Sequence, residues 1–220
     1  MGVLDSWGGA SDDRDYARSE RAWREQQREE QATRYVVGLD LGQRDDYTAL
    51  AILEASSKDD ILTLRRLERV RGKPYPVIAT MVRDTMAALP PDSQLLVDTT
   101  GVGRPICDQL TALGVAHHRI SIHGGAAVNT LDDGTTSVPK RDLVAALVVR
   151  FEQNTLLIPR FMRHTGTLER EARAFQMKLS ASGHDTYNAR SGEHDDLLLA
   201  VAMPVWWHRE HGHRAGVWVL

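Results

Sequence analysis

The order of apolar patterns along the chain predicts an α/β fold, a mixed sheet flanked by helices and preceded by an N-terminal helical or disordered arm. Three strand-like runs follow one another between residues 34 and 70, and neighbours joined by short turns pair antiparallel. Beyond them helical and strand-like patterns alternate, and such crossovers allow parallel pairing. The composition is that of a globular chain: of 220 residues, 42% are hydrophobic and 26% charged. No apolar run approaches the roughly 20 residues that span a bilayer.

The arm, residues 1–33, is crowded with charges of mixed sign and is nearly free of aliphatic residues, so it has no core of its own. Glu20 and Arg24, four apart, would support a solvated helix, and Tyr16 and Trp23 would share one side of it. A frayed arm and a linker or docking helix are both open. From Arg34 the pattern changes. YVVGLDLG (35–42) is apolar on both faces, as a central strand is. YTALAILEAS and DILTLRRLERV supply two further strands, the last turning basic. After the turn GKPYP, apolar residues in VIATMVRDTMAAL recur every three or four positions, which predicts a helix.

QLLVD (94–98) is a buried-strand run, and TTGVGRPICDQLTALG is a glycine-rich turn leading into a helix that Gly114 ends. VAHHRISIHG reads as a strand, and GGAAVNTLDDGTT as a loop before a helix from Pro139 through Phe151. A short strand in TLLIP and a helix in HTGTLEREARAFQM follow. HDDLLLAVAMPVWW is an apolar helix in which Pro204 should cause a kink or a break. The domain division expected is 1–33 arm, 34–210 folded domain and 211–220 tail.

Charge and cysteine content narrow the function classes. Thirty acids against 27 Lys and Arg give a net charge of -3, so no global field draws nucleic acid to the chain, and any contact needs a local basic groove. The arm holds eight acids and five bases, leaving 22 of each sign in residues 34–220. The single cysteine, Cys107, excludes an internal disulfide and a multi-cysteine metal site. MGVLDSWGGASDD lacks the basic and apolar regions of a secretion signal, so a cytoplasmic location and no membrane partner are expected.

The informative residues are acids where a plain fold does not need them. Asp40 lies inside an apolar strand, where a carboxylate is expensive without a cation. Asp98 ends the second buried run, before Gly101 and Gly103, which let backbone or a phosphate come close. Asp195 and Asp196 open the helix LLLAVAM, which would bring them toward Asp40 and Asp98. Such a cluster repels itself unless divalent ions sit within it, and oxygen-only ligation suits Mg²⁺ or Mn²⁺. Two ions would stabilise the attacking and leaving oxygens of phosphodiester hydrolysis. Structural roles stay open beside this: Asp195 or Asp196 as an N-cap, Asp98 as a turn former. Asp45 and Asp46 fit a turn in QRDDY, with Asp46 a candidate outer ligand.

GLDLGQRDDYTALAIL, LLVDTTGVGRPICDQL, SVPKRDLVAALVVRFEQNTLLIP and GEHDDLLLAVAM, in that order, resemble the nuclease domain of phage terminase large subunits, which has a ribonuclease-H-like fold. The resemblance runs from about Tyr35 to Met203. It implies that Asp40 bridges two ions, that Asp98 binds one, and that the HDD acids complete the site, Asp196 before Asp195. It also implies endonucleolytic cutting of concatemeric double-stranded DNA during genome packaging. No GxxxxGK[ST] phosphate loop occurs, so a separately encoded nuclease half, a truncated product and a related nuclease of the same fold are all open, and a separate ATPase motor subunit, the small terminase subunit and the portal are the expected partners.

Weaker candidates surround the acids. Lys140 and Arg141 open a helix and could meet a phosphate; Arg104 stands beside the Asp98 turn. Arg65, Arg66, Arg69, Arg71 and Lys73 make the third strand basic, for DNA backbone contact or as a charge-protected edge. His194 adjoins the acids and could orient a carboxylate or water, whereas His117, His118, His123 and His184 show no metal-ligand spacing. Trp206 and Trp207 are expected to cover the core. Two other classes compete. GLDLG and VDTTGVG superficially resemble the phosphate motifs of an actin/sugar-kinase-like nucleotide-binding protein, but two such lobes need more chain. A non-catalytic docking module of a packaging complex would keep the acids as vestiges.

Overall fold

The computed structural model describes residues 34–212 except 43–45, 57–58, 102 and 182–194, together with Arg18 and Glu20. The arm as an element, His194 and residues 213–220 lie outside the described residues. β1 (Arg34–Asp40), β2 (Tyr47–Ala55) and β3 (Leu62–Arg71) form the predicted antiparallel run. Then come α1 (Tyr75–Ala87), β4 (Gln94–Asp98), α2 (Gly103–Ala112), β5 (His118–His123), β6 (Asn129–Thr130) and β7 (Thr136–Pro139). α3 (Lys140–Glu152), β8 (Leu156–Leu157), α4 (Thr165–Ala181) and α5 (Asp196–His211) complete the chain. The strands make one eight-stranded mixed sheet in the order β6-β7-β5-β4-β1-β2-β3-β8, with β1 parallel to β4.

Alternation along β1 and β4 splits the core into two layers. Val37, Leu39, Leu95 and Val97 face α1 and α2, where Ile78, Val82, Ile106 and Leu110 meet them. Val36 and Leu96 face the opposite side and pack with α3, α4 and α5. Asp40 and Asp98 share the parity of Val36 and Leu96, and both end their strands on the α5 side. α5 is buried almost all round, from Asp196 to Trp206, as a central helix must be. It approaches β1 closely at Gly38, where any Cβ would fall on the Ala200 carbonyl and within 2.7 Å of the Pro204 ring.

Two expectations need correction. The segment 124–136, read as a loop, contributes β6 and leads into β7: Asn129 and Thr130 pair with Ser137 and Thr136 across a tight turn whose Gly134 has φ +77°. Strands of two and four residues carry too little apolar pattern to register. Pro204 does not interrupt α5, which is helical from Asp196 to His211. Trp206 is buried as expected, and Trp207 stacks between His118 and His211. No helix among the described residues is long and apolar enough to cross a membrane.

Candidate metal centre

Register brings the two strand acids together. Leu39 of β1 stands beside Val97 of β4, so the next residues, Asp40 and Asp98, are neighbours at the C-terminal rim of parallel strands. They are 9% and 8% exposed and hydrogen-bond to each other through their carboxyls. Burial first, then the charges of Asp98, Asp195 and Asp196, raise the Asp40 carboxyl well above the ordinary range. Asp98 is also raised by burial, against the pull of Thr100 and the Lys140 charge. Its Oδ1 accepts the Thr100 N–H at 2.8 Å. Thr99 and Thr100 are pinned in turn to β5, through the carbonyl of Ile120 and the N–H of Ile122.

The helix acids arrive from above. Asp195 stands at the N-cap position of α5 and makes no capping bond; its Oδ2 accepts from Lys140 Nζ. Asp196, 6% exposed, gives both oxygens to Arg69, at 2.7 Å from Nε and 2.6 Å from Nη2. Arg69 lies over the Tyr47 ring, 3.8 Å from its centre, and reaches Glu171 at 3.5 Å. The four expected acids therefore converge, with Asp195 ahead of Asp196 among the charges that act on Asp40. Among the described residues no group of three His, Cys, Asp or Glu side chains is placed to hold an ion, and Asp195 and Asp196 each pair with a cation.

The donor set is suited to a hard divalent cation nonetheless. Burial raises both of these neighbouring carboxyls, and a bound divalent ion would favour their ionised forms. All the donors are oxygens, which suits Mg²⁺ or Mn²⁺ rather than softer metals.

The basic candidates scatter. Lys140 is drawn into the acid cluster and lies 5.7 Å from the Phe175 ring centre. Arg141 donates to the Ala126 carbonyl and pairs with Asp142. Arg104 is 76% exposed on α2 and reaches Asp133 at 3.3 Å. Arg65 grips Glu54 and Arg66 grips Glu68. Asp46 is exposed and accepts the Tyr47 N–H.

The sequence reading of the site missed Glu171 and did not connect Arg69 with the acids. Glu171, 7% exposed, lies on the buried side of α4 with Leu168 and Phe175. It sits three residues after Leu168 and four before Phe175, so the test that singled out Asp40, an acid on an apolar face, would have found it. Burial pushes its carboxyl up to about 7, against the Leu198 N–H that it accepts. Arg69 was hidden by a register shift. Ile52 pairs with Arg66 but Leu53 with Leu64, so Arg65 is an extra residue. The bulge turns Leu67, and Arg69 after it, to the α5 side.

No protein-family model matches the chain. It is 24% identical over 172 residues to the large terminase subunits of Thermus phage G20c and Thermus virus P23-45; the match covers 77% of this chain and 30% of each relative. The large terminase nuclease of phage G20c superposes with a TM-score of 0.56 at 20% identity, over 78% of this chain and 81% of that one. The large terminase of a further thermophilic bacteriophage superposes at 0.52 and 12% identity, over 77% of this chain and 38% of that one. GLDLG and VDTTGVG stand on adjacent strands of one sheet, not in two facing lobes, and the nucleotide-binding alternative is not favoured. The chain resembles phage terminase large subunits in sequence and has the ribonuclease-H-like fold of their nuclease domain.

Proposed function

We propose that the chain is a divalent-metal-dependent endonuclease that cuts concatemeric double-stranded DNA during phage genome packaging. The observation that carries this reading is the pair Asp40 and Asp98, buried side by side at one rim of the sheet and approached by Asp195 from the head of α5.

Asp40, Asp98 and Asp195 would hold the metal, and Asp196 would join them on leaving Arg69. The number proposed is two, as Mg²⁺ or Mn²⁺. Ions bound there would polarise the phosphodiester and neutralise charge developing on its oxygens. The protein's own groups do the rest. Thr100 fixes the Asp98 carboxylate through its N–H. Lys140 offsets the summed negative charge until ions arrive, and then is free to turn to a phosphate. Arg104, Arg141, Arg65 and Arg66 would touch the DNA backbone without reading sequence, each releasing an acidic or carbonyl partner to do so. His194, if it adjoins the acids, would orient a carboxylate or water.

The chain spans about a third of the relatives it matches and contains no phosphate loop. We assign residues 1–33 to a linker or docking arm toward an ATPase motor and residues 34–210 to the nuclease. The small terminase subunit and the portal are the other partners, in the host cytoplasm. Purified protein should nick or linearise plasmid with Mn²⁺ or Mg²⁺, and Asp40→Asn or Asp98→Asn should stop it while circular dichroism stays that of the parent. Equal cutting by those variants sinks the assignment.

A further inference from the structure

The N-terminus of α5 is not capped by the residue that its sequence offers. An aspartate at N-cap ordinarily turns its carboxylate back onto the free N–H of the second or third helical residue. Asp195 occupies that position and makes no such bond; its carboxylate extends to Lys140 instead. The free donor is satisfied from another helix. Glu171 of α4, 27 residues earlier in the chain, accepts the Leu198 N–H on Oε2 at 3.0 Å, in a buried contact. Its other oxygen takes no hydrogen bond and lies 3.5 Å from Arg69. α4 itself has no use for an acid among its apolar residues, and an unpaired buried carboxyl oxygen is costly.

We infer that Glu171 is a positioning residue: by capping α5 in place of Asp195, it lets the Asp195 carboxylate face Lys140 and the metal centre instead of its own helix. The inference rests on the metal-centre reading above. Without Glu171 the Leu198 N–H, at the third helical position, would draw the Asp195 carboxylate from the N-cap position back onto its own helix, where it would be lost as a ligand. Arg69 acts on Asp196 in the same spirit, holding both oxygens in one orientation at the first helical position.

Mn²⁺ titration of the full chain, followed by electron paramagnetic resonance and calorimetry, tests this on wild type, Asp98→Asn, Glu171→Gln and Glu171→Ala. Glutamine presents an amide oxygen to the same N–H and should bind Mn²⁺ like wild type. Alanine should weaken binding about 10- to 100-fold, the usual penalty for losing a group that orients a ligand, while its thermal transition remains cooperative. If the alanine variant does not fold, Glu171→Asp, one methylene short of the donor, replaces it and should weaken binding likewise. A folded alanine or aspartate variant that binds as wild type, or a glutamine variant as weak as alanine, overturns the positioning role alone. Wild type that binds no Mn²⁺, or Asp98→Asn that binds it unchanged, overturns the metal-centre reading and this inference with it.

Discussion

The two ends of the sheet both bury charge, and they resolve it in opposite ways. At the end where β3 begins, Asp60 accepts from both terminal nitrogens of Arg150 at 2.9 Å and from His208 Nε2 at 3.0 Å. Those bonds overcome the opposing effect of burial and hold its carboxyl below the usual range. At the far end burial and the charges of Asp98, Asp195 and Asp196 drive the Asp40 carboxyl up. α5 spans the two, with Asp195 and Asp196 at one terminus and His208 near the other. A charge that serves the fold brings its counterion with it, whereas a charge kept for function waits for one.

The largest expected effect breaks the far end alone. Asp98→Asn should lower plasmid cleavage by at least about a thousandfold, some 4 kcal/mol in the barrier, yet leave the melting temperature equal or higher, because a repulsion is removed. A matching loss of stability would show that Asp98 is a structural acid after all. The converse experiment is Asp60→Ala. It strands Arg150, whose side chain is 7% exposed, and should destabilise by about 3 kcal/mol, seen as a lower urea midpoint, with Mn²⁺ affinity unchanged. If affinity falls as well, the two ends are not independent.

Gly38→Ala strikes the helix between them. The new methyl displaces the Ala200 carbonyl and the Pro204 ring, and overpacking of this kind costs about 1–3 kcal/mol. Stability and Mn²⁺ binding should both decline, unlike in either single-end variant.

The smallest effect per residue is spread over pH. Asp60, with its pKa lowered, contributes stability that is present above the unfolded carboxylate range and lost as pH falls through it. Asp40 and Glu171 are raised, so they favour the fold at low pH and that advantage disappears as pH rises, through about 7 for Glu171. Metal-free protein should therefore be most stable at mildly acidic pH. Calorimetric scans should show the alkaline decline flattened in Glu171→Gln and the acid decline flattened in Asp60→Asn; unchanged limbs would contradict the assignment.

Legibility in the sequence followed the strength of local pattern. β1, β4 and α5 were readable because long apolar runs need burial, and the acids within or bounding them were conspicuous for the same reason. β6 is two residues long and could not be seen. Arg69 reads as part of a basic strand, for DNA backbone contact or as a charge-protected edge, and its direction depends on one bulge residue whose effect exists only once β2 and β3 are paired. Lys140 was read as a phosphate contact, and the tertiary structure places it against Asp195.

By itself the sequence determined the order of the longer elements and the four acids worth naming, since alternation, helical spacing and the cost of burying charge are properties of short segments. Only the tertiary structure decided how those acids are compensated. Arg69, Lys140 and Glu171 lie 127, 55 and 27 residues from the groups they hold. Partners so distant in the chain are chosen by packing and register, which no local pattern encodes.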